Sequence, residues 1–253
     1  MEVAGRGSGH GESRAVSSAT AARGYHHGGL RETLLDAAVR HIEAEGTEGL
    51  SLRALAREAG VSATAPYRHF DSRQTLLAAL ATQGFVELGE RMESDPARLS
   101  AEPAIVFFES GMAYVDYARH NSVKYHLMFG DTIGDFAGHA ELAAAAEASY
   151  AQLETMLQAG IDTGVLLQIP VRDLGGVVWS MVHGLAGLVI AGERKRAGAP
   201  LAALRTMAPM DAQQRVLEAP ERVLMRLSRG LIVDADALRE LERRVRCPES
   251  PAG

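Results

Sequence analysis

Hydrophobic residues recur along this chain at helical spacing from Leu30 onward. Leu30, Leu34, Ala38 and Ile42 fall every four residues, and Leu35 and Ala37 widen the stripe. Gly46 punctuates the end of that first helix. Ser51 is placed to cap a second, short helix, LRALAREAG, in which Leu52, Leu55, Ala56 and Ala59 share one face. Gly60 closes it. Val61 is then positioned to dip into the core, and Ser62 to cap a third helix. Asp71 is positioned to cap a long fourth helix ending near Met92, with Gln74 at the reciprocal capping-box position. The segment SDPARLSAEP interrupts the pattern. Beyond it the periodicity predicts helices over 102–119, 121–129, 138–163, 171–193 and 212–230, a long loop over 194–211, and a last amphipathic helix in DADALRELERRVR. The alternating β-branched pattern of strands is scarce, so the expected fold class is all-α. No internal repeat is visible. The breaks divide the chain into a tail at 1–24, a first domain at 25–92, a second at 101–230, and a C-terminal helix and tail at 231–253.

The two short helices across the glycine turn carry the most specific local geometry. A helix-turn-helix needs a small residue where its helices meet, a glycine in the turn for a left-handed backbone, and an apolar plug into the core. Ala56, Gly60 and Pro66 fall at those intervals. Pro66 sits near the end of the first turn of a helix capped at Ser62, where the hydrogen bond it forfeits is the first of the ladder. Ala65 before it is biased away from the helical region, which predicts a tight or irregular start. Small residues at Ala63, Thr64 and Ala65 would let this segment approach a duplex closely. Thr64 offers a methyl and a hydroxyl to base edges, Tyr67 and His69 offer hydrogen bonds to phosphates, and Arg68 and Arg73 add charge. Phe70 reads as core. Geometry alone leaves two readings open: a DNA-reading pair, or a structural helix pair inside an interaction module or small enzyme.

Composition sharpens some of this. The chain has 253 residues, 47% hydrophobic and only 5% aromatic, which suits a helical core of Ala, Leu and Val. The formal net charge of -6 argues mildly against nucleic acid unless positive charge is gathered locally. One cysteine, Cys247, excludes an intrachain disulfide framework and suits a reducing, cytoplasmic setting. The tail at 1–24 is rich in Gly, Ser and Ala, lacks the apolar run of a secretory signal, and reads as disordered. The uncharged run LGGVVWSMVHGLAGLVIAG just reaches the length of a membrane span, but His183 at its middle and five glycines favour a helix buried on two sides in a soluble protein. His26 and His27 lack acidic or cysteine partners at metal spacing, and His183 lacks a catalytic partner. With no phosphate loop, metalloprotease motif or nucleophile elbow, neither catalysis, metal nor cofactor is expected.

Residues 25–92 resemble the DNA-binding domain of the tetracycline-repressor (TetR) family. The likeness lies in GLRETLLDAAVRHIEAEGTEGLSLRALAREAGVSATAPYRHFDSRQTLL: a serine cap (Ser62), a Tyr-x-His-Phe run (Tyr67 to Phe70), and Ser72-Arg73 where the family carries Ser-Lys. Pro66 stands where Leu is usual. A branch of that family carries a Trp-His-Gly motif, similar to Trp179, His183 and Gly184 in VWSMVHGLAGL. YVDYARHNSVKYHLMF also resembles that branch, with Ser122 in place of a common proline. YHHGGLR resembles its lead into the first helix, with Gly29 where Asp or Asn would cap, which predicts a frayed start.

The resemblance implies a DNA-facing set of Tyr25, His26 and His27 on an arm, Ser51 and Arg53 on the first short helix, Ser62, Ala63, Thr64, Ala65, Pro66, Tyr67, Arg68 and His69, and Arg73. It implies an effector cavity lined by Phe107, Phe108, Met112, Tyr114, Tyr117, Met128, Phe129, Trp179 and His183. A homodimer is expected through 171–193 and 212–230, with Gly176, Gly184 and Gly187 permitting close approach. Two recognition helices would then reach successive major grooves of a palindromic operator, about 34–36 Å apart, and a small apolar effector would loosen that grip.

Overall fold

A computed structural model describes residues 29–92, 95–198 and 208–246. Among them every regular element is a helix, apart from one isolated antiparallel bridge between Leu166 and Ile232. Helix α1 spans Leu30–Glu45 and buries Leu34, Leu35, Ala37 and Ala38. Its N-cap, Gly29, supplies no side-chain bond. The helix's first backbone bond runs from the Thr33 N–H to the Gly29 carbonyl at 2.7 Å, and the Thr33 hydroxyl donates to the same carbonyl at 2.5 Å. Gly46 ends it at φ 80°, a left-handed conformation that favours glycine. Helix α2, Leu52–Glu58, is capped by Ser51, whose Oγ accepts from the Ala54 N–H at 3.2 Å. Gly60 makes the turn at φ 69°.

Two expectations are corrected here. The third helix from Ser62 is a single 3-10 turn, Ala65–Arg68. Pro66 has no N–H to give an α-helical ladder, and it keeps Ala65 from settling into one. The Ser62 hydroxyl pairs with that of Thr64 at 3.3 Å instead of capping a helix. The long helix α3, Arg73–Met92, is capped by Ser72 rather than Asp71. Ser72 N–H donates to Thr75 Oγ1 at 2.9 Å, and Thr75 N–H donates to Ser72 Oγ at 3.2 Å. This is the reciprocal box shifted by one residue, and Gln74 reaches the Thr132 carbonyl at 3.5 Å instead.

The second domain begins with a short helix inside the predicted break: α4, Pro96–Ala101, capped by the Asp95 carboxylate. Then follow α5 (Pro103–His120), α6 (Ser122–Phe129), α7 (Ala140–Asp162) and α8 (Val171–Gly198). The expected helix over 212–230 is two helices, α9 (Ala208–Glu218) and α10 (Pro220–Ser228). Ala219 breaks them at φ -154° and ψ 65° because proline drives its predecessor out of the helical region. Helix α11 is Ala235–Arg246. The loop expected over 194–211 is helical at both ends, because α8 continues to Gly198 and α9 starts at Ala208; residues 199–207, and Cys247, lie outside the described residues.

One hydrophobic core runs from head to body. Leu34, Leu55, Phe70 and Leu76 close the head, and α3 carries the core onward to Leu127, Leu142 and Leu157. Glycines let α3 sit close to its neighbours: a Cβ on Gly84 would collide with Met128, and one on Gly89 with Gln152. Helix α8 is half-covered rather than buried on two sides. Its Val171–Arg194 stretch is long and apolar enough to cross a membrane, with a mean hydropathy of 1.8 over its most apolar window, and 44% of that window is buried in the protomer. Leu174, Val178, Leu185, Ala186 and Val189 face inward, while Val177 and Leu188 are exposed.

Candidate nucleic-acid face and effector cavity

The turn from Ser62 to His69 forms an exposed ridge on the head. Ser62, Ala63, Thr64, Tyr67, Arg68 and His69 are exposed, and Tyr67 shows 46% of its surface. Ala65 is half-buried. Pro66 and Phe70 are buried, so Pro66 anchors the ridge and offers DNA no surface. Ser51 spends its hydroxyl on the α2 cap, and Arg53 is exposed beside it. Sequence reasoning left out Arg57, which is also exposed and lies four residues after Arg53. That i, i+4 spacing was the available signal.

Arg73 departs from its expected role. It is half-buried, and it donates to the Thr47 carbonyl at 2.7 Å, tying the α1–α2 loop to the start of α3. Its Nε is buried with no partner among the described residues. Between Ser51 and Arg73 four arginines stand against two carboxylates, Glu58 and Asp71. Glu58 is already engaged by Arg40 at 3.2 Å. The acidic chain therefore carries a locally basic head segment. Tyr25, His26 and His27 lie outside the described residues.

The body encloses a cavity of about 310 Å³. Helix α3 supplies Phe85, Leu88 and Met92, α5 Phe107, Ser110, Gly111 and Tyr114, and α6 Met128 and Phe129. Phe136 follows from the loop. Helix α7 gives Ala146, Ser149, Tyr150, Leu153 and Met156, and α8 gives Val178, Trp179, Met181 and Val182. Leu224, Ser228 and Leu231 complete the wall. Of the expected set, Phe107, Tyr114, Met128, Phe129 and Trp179 are part of this wall, whereas Phe108, Met112, Tyr117 and His183 are not. Tyr117 is fully buried elsewhere, donating its hydroxyl to Glu87 at 3.0 Å under the Arg91 guanidinium. The α7 and α10 contributions escaped sequence reading because those helices show ordinary amphipathic patterns, and nothing local distinguishes a cavity wall from packed core.

Behind the wall, His183 organises an aromatic cluster. Its Nδ1 lies 3.0 Å from the Tyr114 hydroxyl and 2.7 Å from that of Tyr125. Its ring stacks on Tyr125, with centroids 5.3 Å apart and planes at 27°. Burial holds the imidazole below its ordinary pKa, so it stays neutral with Nδ1 as acceptor. Burial likewise pushes the Tyr114 phenol up to about 12 and raises Tyr125 further. Both phenols therefore remain donors. Among the described residues no three His, Cys, Asp or Glu gather as a metal site would require.

Residues 34–80 match the family "Bacterial regulatory proteins, tetR family", and residues 107–210 match "Tetracyclin repressor-like, C-terminal domain". The chain belongs to the TetR family. Members of that family are DNA-binding transcriptional regulators, not enzymes. A solved structure of a protein of unknown function from Rhodococcus sp. RHA1 is 31% identical, covering 83% of this chain and 99% of that one with a TM-score of 0.61. The fold is also shared with the transcriptional regulator FadR from Bacillus subtilis, solved in complex with stearoyl-CoA, at 16% identity over 74% of this chain and 96% of that one, TM-score 0.56. In sequence, this TetR-family chain is 30% identical over 95 residues to the uncharacterized HTH-type transcriptional regulator YobS of Bacillus subtilis (strain 168), which is 38% of this chain and 49% of YobS.

Proposed function

We propose that this protein is a cytoplasmic transcriptional repressor that grips a palindromic operator as a homodimer and lets go when a small apolar effector fills the body cavity. The observation that carries the reading is the double duty of α3. At its first residue, Arg73 is bonded to the Thr47 carbonyl of the head. About three to five turns along, Phe85, Leu88 and Met92 form one wall of the cavity. A ligand that moves that wall moves the frame of the DNA-facing ridge. The required coupling is modest, about 1–3 kcal/mol.

The exposed strip on α8 supports the dimer. Among the described residues, Gly176, Gly184 and Gly187 meet nothing within 4 Å where a Cβ would be, so packing there does not need their small size. A partner helix approaching closely does. Pairing would also cover Val177 and Leu188, which accounts for an apolar face on a chain that reads DNA. The Trp179, His183 and Gly184 pattern supports placement in the Trp-His-Gly branch of the family.

FadR, which shares this fold, was solved in complex with stearoyl-CoA, but the cavity here is of modest volume and its wall carries no charged side chain among the described residues. Footprinting with DNA flanking the gene tests the whole reading. A protected palindrome whose protection weakens with salt is expected. Absence of protection at low ionic strength, with folded protein, overturns it.

A further inference from the structure

Resting on the reading of the cavity as the effector site, we infer that the effector is an uncharged, largely apolar molecule bearing a hydroxyl or carbonyl oxygen, and that Ser110 and Ser149 recognise that oxygen. Serines inside helices commonly return their hydroxyls to the carbonyl four residues back. Ser100, Ser180 and Ser228 do so here, on Pro96, Gly176 and Leu224, at 3.2, 2.7 and 2.9 Å. Ser110 on α5 and Ser149 on α7 do not. Both are more than nine-tenths buried, with 6% and 8% of their surface exposed, and both belong to the cavity wall. Neither hydroxyl has a partner among the described residues, and both helices pack against each other. A hydroxyl that meets only an apolar cavity lacks the hydrogen bonds it would make in bulk water. Two of them left open to one apolar cavity are satisfied by an incoming polar atom, or by water that such an atom displaces.

The rest of the wall restricts what that atom belongs to. Among the described lining residues there is no Asp, Glu, Lys, Arg or His. A carboxylate or phosphate inside would lose its hydration with no counter-charge in reach. A serine hydroxyl both donates and accepts, so an alcohol, ketone, ester or lactone oxygen satisfies it without charge. The volume of about 310 Å³ sits at the small end of ligand pockets, which run from about 300 to 1,000 Å³. That suits a medium-chain or single-ring compound.

Trp179, the only tryptophan, is part of the wall and reports occupancy by its fluorescence. The full chain is titrated at pH 8 with 1-octanol, 1-chlorooctane and octanoate. Saturable binding of octanol is expected, with octanoate at least about tenfold weaker. The S110A/S149A variant should bind octanol about tenfold more weakly and chlorooctane within about twofold of the wild type. If the double variant does not fold by circular dichroism, S110A and S149A are read singly for the same selective loss. Octanoate binding as tightly as octanol, an unchanged octanol affinity in the variants, or no binding of any probe overturns the inference. A parallel gel shift separates the two readings. Absence of DNA binding by the ligand-free protein, with octanol selectivity retained, removes the regulator but leaves the ligand chemistry standing. Operator binding without oxygen selectivity removes only the ligand chemistry.

Discussion

A Cβ placed on Gly84 of α3 would stand 2.5 Å from the sulfur of Met128 on α6, and Met128 is also part of the cavity wall. The thioether therefore fills the space between the cavity and the backbone of the helix that carries the DNA head. A ligand that displaces Met128 must press it on α3. Gly84→Val should cost about 1–3 kcal/mol through overpacking, read as a lower urea midpoint. Met128→Ala in that background should recover part of the loss, with a coupling above about 0.5 kcal/mol in a double-mutant cycle. Strict additivity would mean the two sites do not communicate.

Arg68 and Arg73, five residues apart, should separate binding from folding. Arg68 is exposed and has no carboxylate partner among the described residues. Arg68→Ala should leave stability within about 0.5 kcal/mol. It should also weaken operator binding and reduce the salt slope by about one. Arg73→Ala instead removes the bond to Thr47 and should destabilise the head by about 1–2 kcal/mol. Thermal melts and gel shifts run side by side check both. Equal effects of the two variants on melting would contradict the distinction.

Much of the fold was readable from periodicity, because long amphipathic helices such as α3, α5 and α7 repeat their signal over many turns. What failed was short-range. Asp71 and Ser72 are adjacent capping residues, and the reciprocal bonds of Ser72 with Thr75 set the helix start one residue later than the Asp71–Gln74 pattern suggests. Pro220 was passed over inside an otherwise helical stretch, although its missing N–H splits α9 from α10. In the site, exposed polar residues at a glycine turn are visible from spacing alone. The wall of the cavity is not, since Leu153 or Leu224 carries the same pattern whether it meets a neighbour or a void. The burial of Arg73 likewise depends on the distant Thr47 carbonyl, which no local pattern encodes.

His183 should make stability depend on pH. In the unfolded chain it takes up a proton near pH 6.5, whereas burial holds it lower in the fold. Between those values the unfolded state binds more protons. Its contribution is thus fully present above about pH 6.5 and is lost as pH falls toward the folded value. His183→Phe should lower the melting temperature at pH 8, because Tyr114 and Tyr125 lose their acceptor. It should also shrink the further drop between pH 8 and pH 5. An undiminished drop in the variant would place the acid sensitivity elsewhere.

The last prediction concerns the open face of α8. Leu188 is 48% exposed and Val177 44% exposed, and a Cβ on the glycines at 176, 184 or 187 would meet nothing within 4 Å among the described residues. A charge at Leu188 costs little in an isolated chain because water already reaches it. In a dimer packed through this face the same charge would be buried against its symmetry copy, where like charges repel and neither has a partner. Leu188→Glu should therefore keep the helical content and the Trp179 signal while converting a sedimenting dimer into a monomer. Operator binding should fall with it, since a single head engages only one half-site and forfeits the gain of linked binding. If the variant still sediments as the wild type does, the copies do not meet through Leu188, and the small residues along α8 need another explanation.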